Sequence, residues 1–209
     1  MDSPVVKAVL WDFGGVLTTS PFDAFASFEA ANGLPAGLIR RLNATRPDTN
    51  AWARFERSEV GLEEFADLFE AEAEAAGWAI DARALMTGLR GELRPTMVTA
   101  LRRCHERLKT ALLTNNFMST DDRDARSPVL EHFDVVVESS RVGCRKPETR
   151  FYEIACEALG VDPGEAVFLD DLGLNLKPAR AMGMRTIKVL NPEQALADLE
   201  AIVGFPLGE

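Results

Sequence analysis

Residues Trp11-Asp12-Phe13-Gly14-Gly15-Val16-Leu17 form the stretch of sequence that decides the fold. They follow on from the apolar run Val5–Trp11, which shows no clear alternation and therefore predicts a strand covered on both faces of a sheet. An aspartate directly after such a strand, followed by two glycines, indicates a backbone that turns sharply beside a ligand. Taken alone, an aspartate in this position is most often a turn former, so the interpretation depends on the rest of the chain.

Four further short apolar segments predict strands: Thr110–Thr114, Phe133–Val137, Ala166–Leu169 and Arg185–Val189. Helical patterns lie between them, at Met97–Leu108 and at Glu148–Leu159, where Gly160 predicts the C-terminal stop. Strands that alternate with helices through short links are typical of an α/β protein with right-handed crossovers. The sequence therefore predicts a Rossmann-like parallel sheet core.

The segment from about Pro21 to Leu93 interrupts this alternation. It contains no strand candidate and carries Ala, Glu, Phe and Leu at helical spacing, as in Leu62–Phe69. We expect a helical insertion over residues 18–93, with the α/β core formed by residues 1–17 and 94–209. Four aromatic residues are expected to pack inside the insertion, with one or two of them lining a substrate pocket: Trp52, Phe55, Phe65 and Phe69.

Polar residues lie at or after the carboxyl ends of the predicted strands. Thr114-Asn115 ends the second strand, Lys146 lies in a loop after the third, and Asp170-Asp171 ends the fourth. The carboxyl ends of parallel strands meet at one edge of a sheet, so these residues should lie near Asp12. Neighbouring carboxylates cannot all stay ionised without a cation, and oxygen ligands without a nearby histidine favour Mg²⁺. Together with a lysine, this set suits phosphoryl transfer.

Each of these features alone has an ordinary explanation. Asp170-Asp171 could cap a helix, and Lys146 could be a solvated surface lysine. Their combination, each at the same end of a strand and in this order, is much harder to obtain by chance.

The combined pattern resembles the haloacid dehalogenase superfamily, and it is most similar to the N-terminal phosphatase domain of soluble epoxide hydrolases. The residues that carry the resemblance are Asp12–Val16, Leu113–Asn115, Lys146–Pro147 and Leu169–Asp171, followed by Asn175–Arg180. It covers the predicted core, and in the insertion it is weak and mainly one of position and helical character. The motif set is specific for the superfamily and does not identify a substrate.

The resemblance implies a role for each residue that matches a motif. Asp12 would be the nucleophile that forms an aspartyl-phosphate. Mg²⁺ would be the cofactor, held by the Asp12 carboxylate, the backbone carbonyl of Gly14 and the carboxylate of Asp171, with Asp170 close by. Asn175 would orient the loop after the fourth strand.

The remaining motif residues would bind and neutralise the transferred group. The resemblance implies that Thr114 and Asn115 bind the phosphoryl oxygens and that Lys146 balances the charge of Asp12 and the phosphate. The insertion would be a helical cap that closes over the site and excludes water. These implications together predict a Mg²⁺-dependent phosphomonoester phosphatase that acts on a small phosphorylated molecule.

Gly14 departs from the pattern of the superfamily's phosphatases. They usually carry a second aspartate at this position, which protonates the leaving oxygen and then activates water. Glycine has no side chain for either task, and the nearby Thr18 and Thr19 are poor acid–base groups. We therefore expect slow turnover that depends strongly on the leaving group. A weak dependence would indicate that another residue supplies the proton.

Two alternatives to a phosphatase remain open. In a metal-independent dehalogenase Asp12 would attack carbon. Gly14 fits that activity, but an anionic Asp170-Asp171 pair without a metal would repel a carboxylate substrate. The third interpretation is a non-catalytic protein of the same fold that binds a phosphorylated ligand or a protein partner.

Composition excludes several other classes of protein. The chain has 209 residues, of which 33 are acidic and 23 basic, and the resulting net charge of −10 disfavours binding to nucleic acid. No apolar run approaches the ~20 residues of a membrane span, and no signal-peptide pattern precedes the first strand. Three widely spaced cysteines, Cys104, Cys144 and Cys156, predict reduced thiols and a cytoplasmic protein. The pattern assigns no oligomeric state.

Overall fold

A parallel β-sheet forms the centre of the molecule. The computed structural model describes residues 4–89, 91–115 and 129–208. Its strands are β1 (Ala8–Trp11), β2 (Lys109–Thr114), β3 (Val135–Glu138), β4 (Ala166–Asp170) and β5 (Arg185–Lys188). In the described part of the chain they form one five-stranded sheet in the order β3-β2-β1-β4-β5, and every pair is parallel. The predicted α/β sheet is confirmed.

The strand limits differ from the predicted ones by one residue at several ends, and by two or three residues at the starts of β1 and β3. β1 begins at Ala8, and Val5 is exposed, because the neighbouring strand β4 begins only at Ala166. β3 begins at Val135, because Phe133 packs into the core from the turn that precedes the strand. Both segments therefore contain an apolar residue outside the strand: Val5 is exposed, whereas Phe133 belongs to the core.

Helices cover both faces of the sheet. They are α6 (Pro95–His105), α7 (Ser139–Val142), α8 (Thr149–Leu159), α9 (Gly173–Ala181) and α10 (Pro192–Val203). Val9 and Trp11 of β1 pack with residues of α6 and α10, whereas Ala8 and Leu10 pack with residues of α8 and α9. Successive residues of a strand point to opposite faces. β1 is consequently buried on both sides, as its unbroken apolar run predicts.

The segment between β1 and α6 is helical. It contains α1 (Pro21–Ala31), α2 (Leu38–Ala44), α3 (Ala51–Glu56), α4 (Leu62–Ala75) and α5 (Ala82–Thr87), which we call the inserted helices. They have a hydrophobic cluster of their own. In it Phe65 stacks on Phe55 at a centroid distance of 4.5 Å and meets Trp52 edge to face at 4.9 Å. These rings fill the interior of the inserted helices.

Two neighbouring chain segments join the inserted helices to the rest of the fold. Thr18 and Leu93 form an isolated antiparallel bridge, and the Thr19 amide donates to the carbonyl of Glu92 at 2.9 Å. The Arg94 guanidinium donates to the carbonyl of Gly15 at 2.9 Å. The entry to and exit from the inserted helices therefore lie beside the loop that follows β1.

The three cysteines are free thiols in the structure. Cys104, Cys144 and Cys156 are buried and form no disulfide. Among the described residues, none of the helices has the length and apolar character needed to cross a bilayer.

Candidate active site

Three carboxylates meet at the carboxyl edge of the sheet. β1 and β4 are neighbours, although the chain passes from β1 to β2 on the other side, and such a reversal of strand order opens a crevice for ligands. Asp12 follows β1, Asp170 ends β4 and Asp171 comes next. One oxygen from each of the three lies within 4.8 Å of the others. The structure thus brings together the acidic residues that the sequence singles out.

Lys146 lies between two of these carboxylates. Its Nζ is 2.7 Å from Asp12 Oδ1 and 2.8 Å from Asp170 Oδ2, and its side chain is only 1% exposed. Burial alone would lower the pKa of Lys146, but the charges of Asp12 and Asp170 outweigh it and raise that pKa above its usual value. Lys146 is therefore a buried cation of the site and not a solvated surface lysine.

Asp170 is fully buried and has a donor for each oxygen. Its Oδ1 accepts from the Leu172 amide at 2.8 Å, and its Oδ2 accepts from Lys146 Nζ at 2.8 Å. Asn175 Nδ2 lies 3.1 Å from Oδ1 and 3.0 Å from Oδ2. Asn175, on α9, consequently orients this carboxylate, and Asp170 in turn holds Lys146 in place.

Asp171 has a different environment from Asp170. It is partly exposed, and within the described ranges its side-chain donor is Ser20 Oγ at the long distance of 3.4 Å. Burial, with the neighbouring charge of Asp170, raises the pKa of Asp171 to about 6. Its oxygens are therefore available to a cation, whereas those of Asp170 already have protein donors.

The electrostatics of the cluster fit a divalent cation. Three ionised carboxylates and one ammonium carry a net charge of −2. Burial, with further contributions from Asp170 and Asp171, raises the pKa of Asp12 well above its usual value, and Lys146 only partly opposes this. The clustered donors, within the part of the chain the structure describes, are carboxylate oxygens. A hard cation such as Mg²⁺ prefers such donors and would keep all three carboxylates ionised.

The conformation of the loop after Asp12 requires a glycine at position 15 but not at position 14. The Phe13 amide donates to Asp12 Oδ1 at 2.7 Å, and the Thr18 amide closes a wide turn by donating to the carbonyl of Phe13 at 3.1 Å. Gly15 has φ +76°, and a Cβ there would lie 2.3 Å from Asp171 Oδ2. Gly14 has φ −67°, and its Cβ would make only an ordinary contact of 3.5 Å with Pro21. The backbone at position 14 therefore leaves room for a side chain.

We expect Gly15→Ala and Gly14→Ala to differ sharply in stability. Gly15→Ala should lower the free energy of unfolding by about 2–4 kcal/mol, because it combines an unfavourable φ with overlap against Asp171. Gly14→Ala should change that free energy by less than about 1 kcal/mol. Urea denaturation of both variants measures the difference. Equal losses would show that Asp171 does not approach the loop as described.

Thr114 and Asn115 end β2 at the same edge of the sheet. The Asn115 side chain accepts from the Lys146 amide at 2.8 Å and donates to the Lys146 carbonyl at 3.0 Å. Its Nδ2 also donates to Oε2 of Glu56 at 3.2 Å. The amide of Asn115 thus holds the backbone of Lys146, and binding of its side chain to a phosphoryl oxygen would require it to leave Glu56. Thr114 is buried beside it.

Thr18 and Thr19 serve the connection to the inserted helices. Thr18 Oγ1 donates to the carbonyl of Thr19 at 3.0 Å, and Thr19 Oγ1 accepts from the Glu92 amide at 3.0 Å. Both hydroxyls are therefore engaged with backbone groups at the base of the inserted helices.

The structure also brings residues to this edge that the sequence analysis did not identify. Glu56, at the end of α3, pairs with Arg145 Nε at 2.8 Å, and Arg145 directly precedes Lys146. Ser20, the residue that caps α1, reaches Asp171. Because Arg145 directly precedes Lys146 in the sequence, it could have been predicted to lie near the site. No comparable signal exists for Glu56 or Ser20, because the insertion carries no recognisable motif.

Comparison with known sequences assigns most of the chain to one family. A family model for haloacid dehalogenase-like hydrolases matches residues 6–183. Mouse acyl-CoA dehydrogenase family member 10 is 37% identical over 207 residues, which cover 96% of this chain and 19% of that protein. Mouse bifunctional epoxide hydrolase 2 is 42% identical over 120 residues, which cover 54% of this chain and 22% of that protein. The chain thus spans only about a fifth of the length of either protein.

A third relative and a solved structure match along most of their length. The phosphatase MT3486 of Mycobacterium tuberculosis is 31% identical over 194 residues, which cover 88% of this chain and 87% of that protein. A haloacid dehalogenase family enzyme from Bacteroides thetaiotaomicron, solved in complex with magnesium and inorganic phosphate, superposes with a TM-score of 0.62. It is 20% identical, and the match covers 87% of this chain and 93% of that one. This likeness shows that the two chains share a fold.

Proposed function

The chain belongs to the haloacid dehalogenase-like hydrolases, and within that family we propose that it is a Mg²⁺-dependent phosphomonoester phosphatase with Asp12 as nucleophile. The observation that carries the proposal is the pairing of the buried Lys146 with Asp12 and Asp170 beside the more accessible Asp171. That arrangement provides a held carboxylate nucleophile and leaves a negative charge for a cation to neutralise. The named phosphatase from M. tuberculosis and the bacterial enzyme with magnesium and phosphate support the same assignment.

The described residues suit transfer of a phosphoryl group to Asp12. The Phe13 amide and Lys146 Nζ both lie 2.7 Å from Asp12 Oδ1, and they would hold the carboxylate in place for attack on phosphorus. A bond from Asp12 to phosphorus would form as the bond to the leaving oxygen breaks. Water would then attack phosphorus and return Asp12 as a carboxylate. When bound, Mg²⁺ would neutralise the oxygens of the transferred group.

The remaining assignments belong to the same proposal. The Asp12 carboxylate, the Gly14 carbonyl and Asp171 would hold Mg²⁺, with Asp170 beside it. Thr114 would bind a phosphoryl oxygen, with Asn115 positioned next to it. Residues 1–17 and 94–209 would form the catalytic core, and residues 18–93 would form a cap that closes over a small phosphorylated substrate and excludes water.

Hydrolysis of an aryl phosphate, with and without Mg²⁺, tests this function. We expect turnover that EDTA abolishes and that added Mg²⁺ restores. Release of halide from a 2-haloacid in the presence of EDTA would instead identify a dehalogenase. Binding of phosphate without either activity would identify a non-catalytic protein.

Substitution of the two neighbouring aspartates should separate their roles in metal binding. Asp171→Asn should weaken Mg²⁺ binding by about tenfold or more, because it removes an anionic oxygen ligand. Asp170→Asn should weaken it less, because Lys146, Leu172 and Asn175 already donate to that carboxylate. Isothermal titration of Mg²⁺ into both variants measures the difference. The assignment is wrong if Asp170→Asn proves the more damaging to Mg²⁺ affinity.

A further inference from the structure

The site has no evident group for proton transfer at the loop after β1. Gly14 has no side chain, although its backbone would accept one. The hydroxyls of Thr18 and Thr19 are engaged with backbone groups. A residue that protonates the leaving group would then come from another element. Among the described residues, the segment that contains the inserted helices contacts this edge of the sheet through Ser20 and Glu56.

Within the part of the chain that the structure describes, Glu56 is a carboxylate of the inserted helices that contacts a motif residue, Asn115. It ends α3, and its backbone carbonyl accepts from Ser139 Oγ at 2.6 Å. Its Oε2 lies 2.8 Å from Arg145 Nε and 3.2 Å from Asn115 Nδ2. No donor to Oε1 is found within the described ranges, and the side chain is 18% exposed. One oxygen is thus held by the core while the other stays available.

A short series of contacts connects Glu56 with the nucleophile. Asn115, which donates to Glu56, makes two hydrogen bonds with the backbone of Lys146. The side chain of Lys146 pairs with Asp12. The position of Glu56 is therefore fixed relative to the lysine that holds the nucleophile.

We propose that Glu56 transfers protons in this site in place of the side chain that Gly14 lacks, an inference that rests on the proposed phosphatase function. As the bond from Asp12 to phosphorus forms and the bond to the leaving oxygen breaks, the departing alkoxide takes the proton of the neutral Glu56 carboxyl. In the second step water gives a proton to the Glu56 carboxylate while its oxygen bonds to phosphorus. The bond to Asp12 then breaks, and both side chains return to their starting forms.

The charges around Glu56 are consistent with this role. Burial raises the pKa of Glu56, and Arg145, Lys146, the Asn115 hydrogen bond and Arg57 oppose that rise without cancelling it. A raised pKa keeps more of the neutral carboxyl near neutral pH, which is the form that donates a proton. Turnover of substrates with poor leaving groups should consequently fall as the pH rises through this pKa.

A series of phosphate esters with graded leaving groups tests the proposal. An alkyl phosphate leaves as a basic alkoxide and needs a proton, whereas an aryl phosphate leaves as a weakly basic phenolate. With Glu56 as the proton donor, the wild type should show only a shallow dependence on the leaving group, in place of the strong dependence that Gly14 alone predicts. Glu56→Gln should lower alkyl-phosphate turnover by about 10²- to 10⁴-fold and aryl-phosphate turnover by less than about tenfold. It should also remove the fall in alkyl-phosphate turnover at high pH.

Two further variants make the test specific. Glu148 lies 3.8 Å from Arg57 Nη1, a second ion pair between the inserted helices and the rest of the fold, and Glu148→Gln should keep the wild-type dependence on leaving group. Adding Gly14→Asp to Glu56→Gln should restore part of the alkyl-phosphate turnover, because position 14 has room for a side chain. Retained aryl-phosphate turnover shows that Glu56→Gln is folded.

The outcomes separate this inference from the proposed function. An equal loss with all esters, or no loss, in Glu56→Gln overturns the role of Glu56 while phosphatase activity of the wild type stands. A wild type that depends steeply on the leaving group also overturns it. A wild type that hydrolyses no phosphate ester overturns both the proposed function and the inference.

Discussion

Asp12→Asn is expected to abolish phosphate-ester turnover and to leave the fold intact. Asn has no anionic oxygen to attack phosphorus, and removal of a nucleophile costs up to about 10⁶-fold in other hydrolases. Its side-chain oxygen can still accept from the Phe13 amide and from Lys146, so the unfolding transition should change little. Steady-state hydrolysis of an aryl phosphate, together with urea denaturation, measures both effects.

An exposed aspartate provides the matched control for that substitution. Asp23 lies in the first turn of α1 and is exposed, and Asp23→Asn should leave turnover unchanged. Retention of more than about a hundredth of wild-type activity in Asp12→Asn would show that another group attacks phosphorus.

Lys146→Met should remove both activity and stability. It leaves the buried carboxylates of Asp12 and Asp170 without their shared cation, and breaking a buried ion pair in this way costs about 3–5 kcal/mol. Burial raises the pKa of Asp12, and the variant loses the lysine charge that opposes this rise. The folded variant should therefore bind more protons than the unfolded chain at pH values between the ordinary pKa of an aspartate and the raised pKa of Asp12, so its stability should fall as the pH rises through that range.

Urea denaturation of Lys146→Met at several pH values, without added metal, tests this expectation. Lys177 is exposed on α9, and Lys177→Met is the control that should change neither stability nor turnover. A Lys146→Met variant as stable as the wild type at pH 8 would contradict the buried pairing of Lys146 with both aspartates.

The sequence predicted the core of this site because its residues follow strands. Asp12, Lys146 and Asp170 all lie at or after the carboxyl ends of strands, and the parallel sheet dictates that such residues meet. The presence of five strands and their parallel arrangement could be predicted from the apolar runs and the helical patterns between them. The limits of the strands could not be predicted in this way, because Val5 and Phe133 lengthen the apolar runs although neither residue lies in a strand.

The rest of the site depends on tertiary contacts that the sequence does not express. Gly14 and Gly15 are two neighbouring residues of the same type. Of the two, only Gly15 has a positive φ and lies against a carboxylate, that of Asp171. Asp170 and Asp171 are neighbours in the sequence. The Asp170 carboxylate nevertheless accepts from the Leu172 amide and Asn175, whereas that of Asp171 has only a long contact with Ser20 among the described residues. Glu56 reaches the site through the packing of α3 against the loops of the core, and helical spacing in the insertion does not indicate which residue faces them.

A crystal structure of the wild type with Mg²⁺ and beryllium fluoride tests the central claim most directly, because beryllium fluoride mimics a phosphoryl group on a carboxylate. We expect a beryllium–oxygen bond to Asp12, with Lys146 beside it and Mg²⁺ in contact with Asp12, the Gly14 carbonyl and Asp171. The adduct should be absent from Asp12→Asn. Beryllium fluoride bound to another residue, or no adduct at Mg²⁺ concentrations that support turnover, would contradict the assignment of Asp12 as the nucleophile.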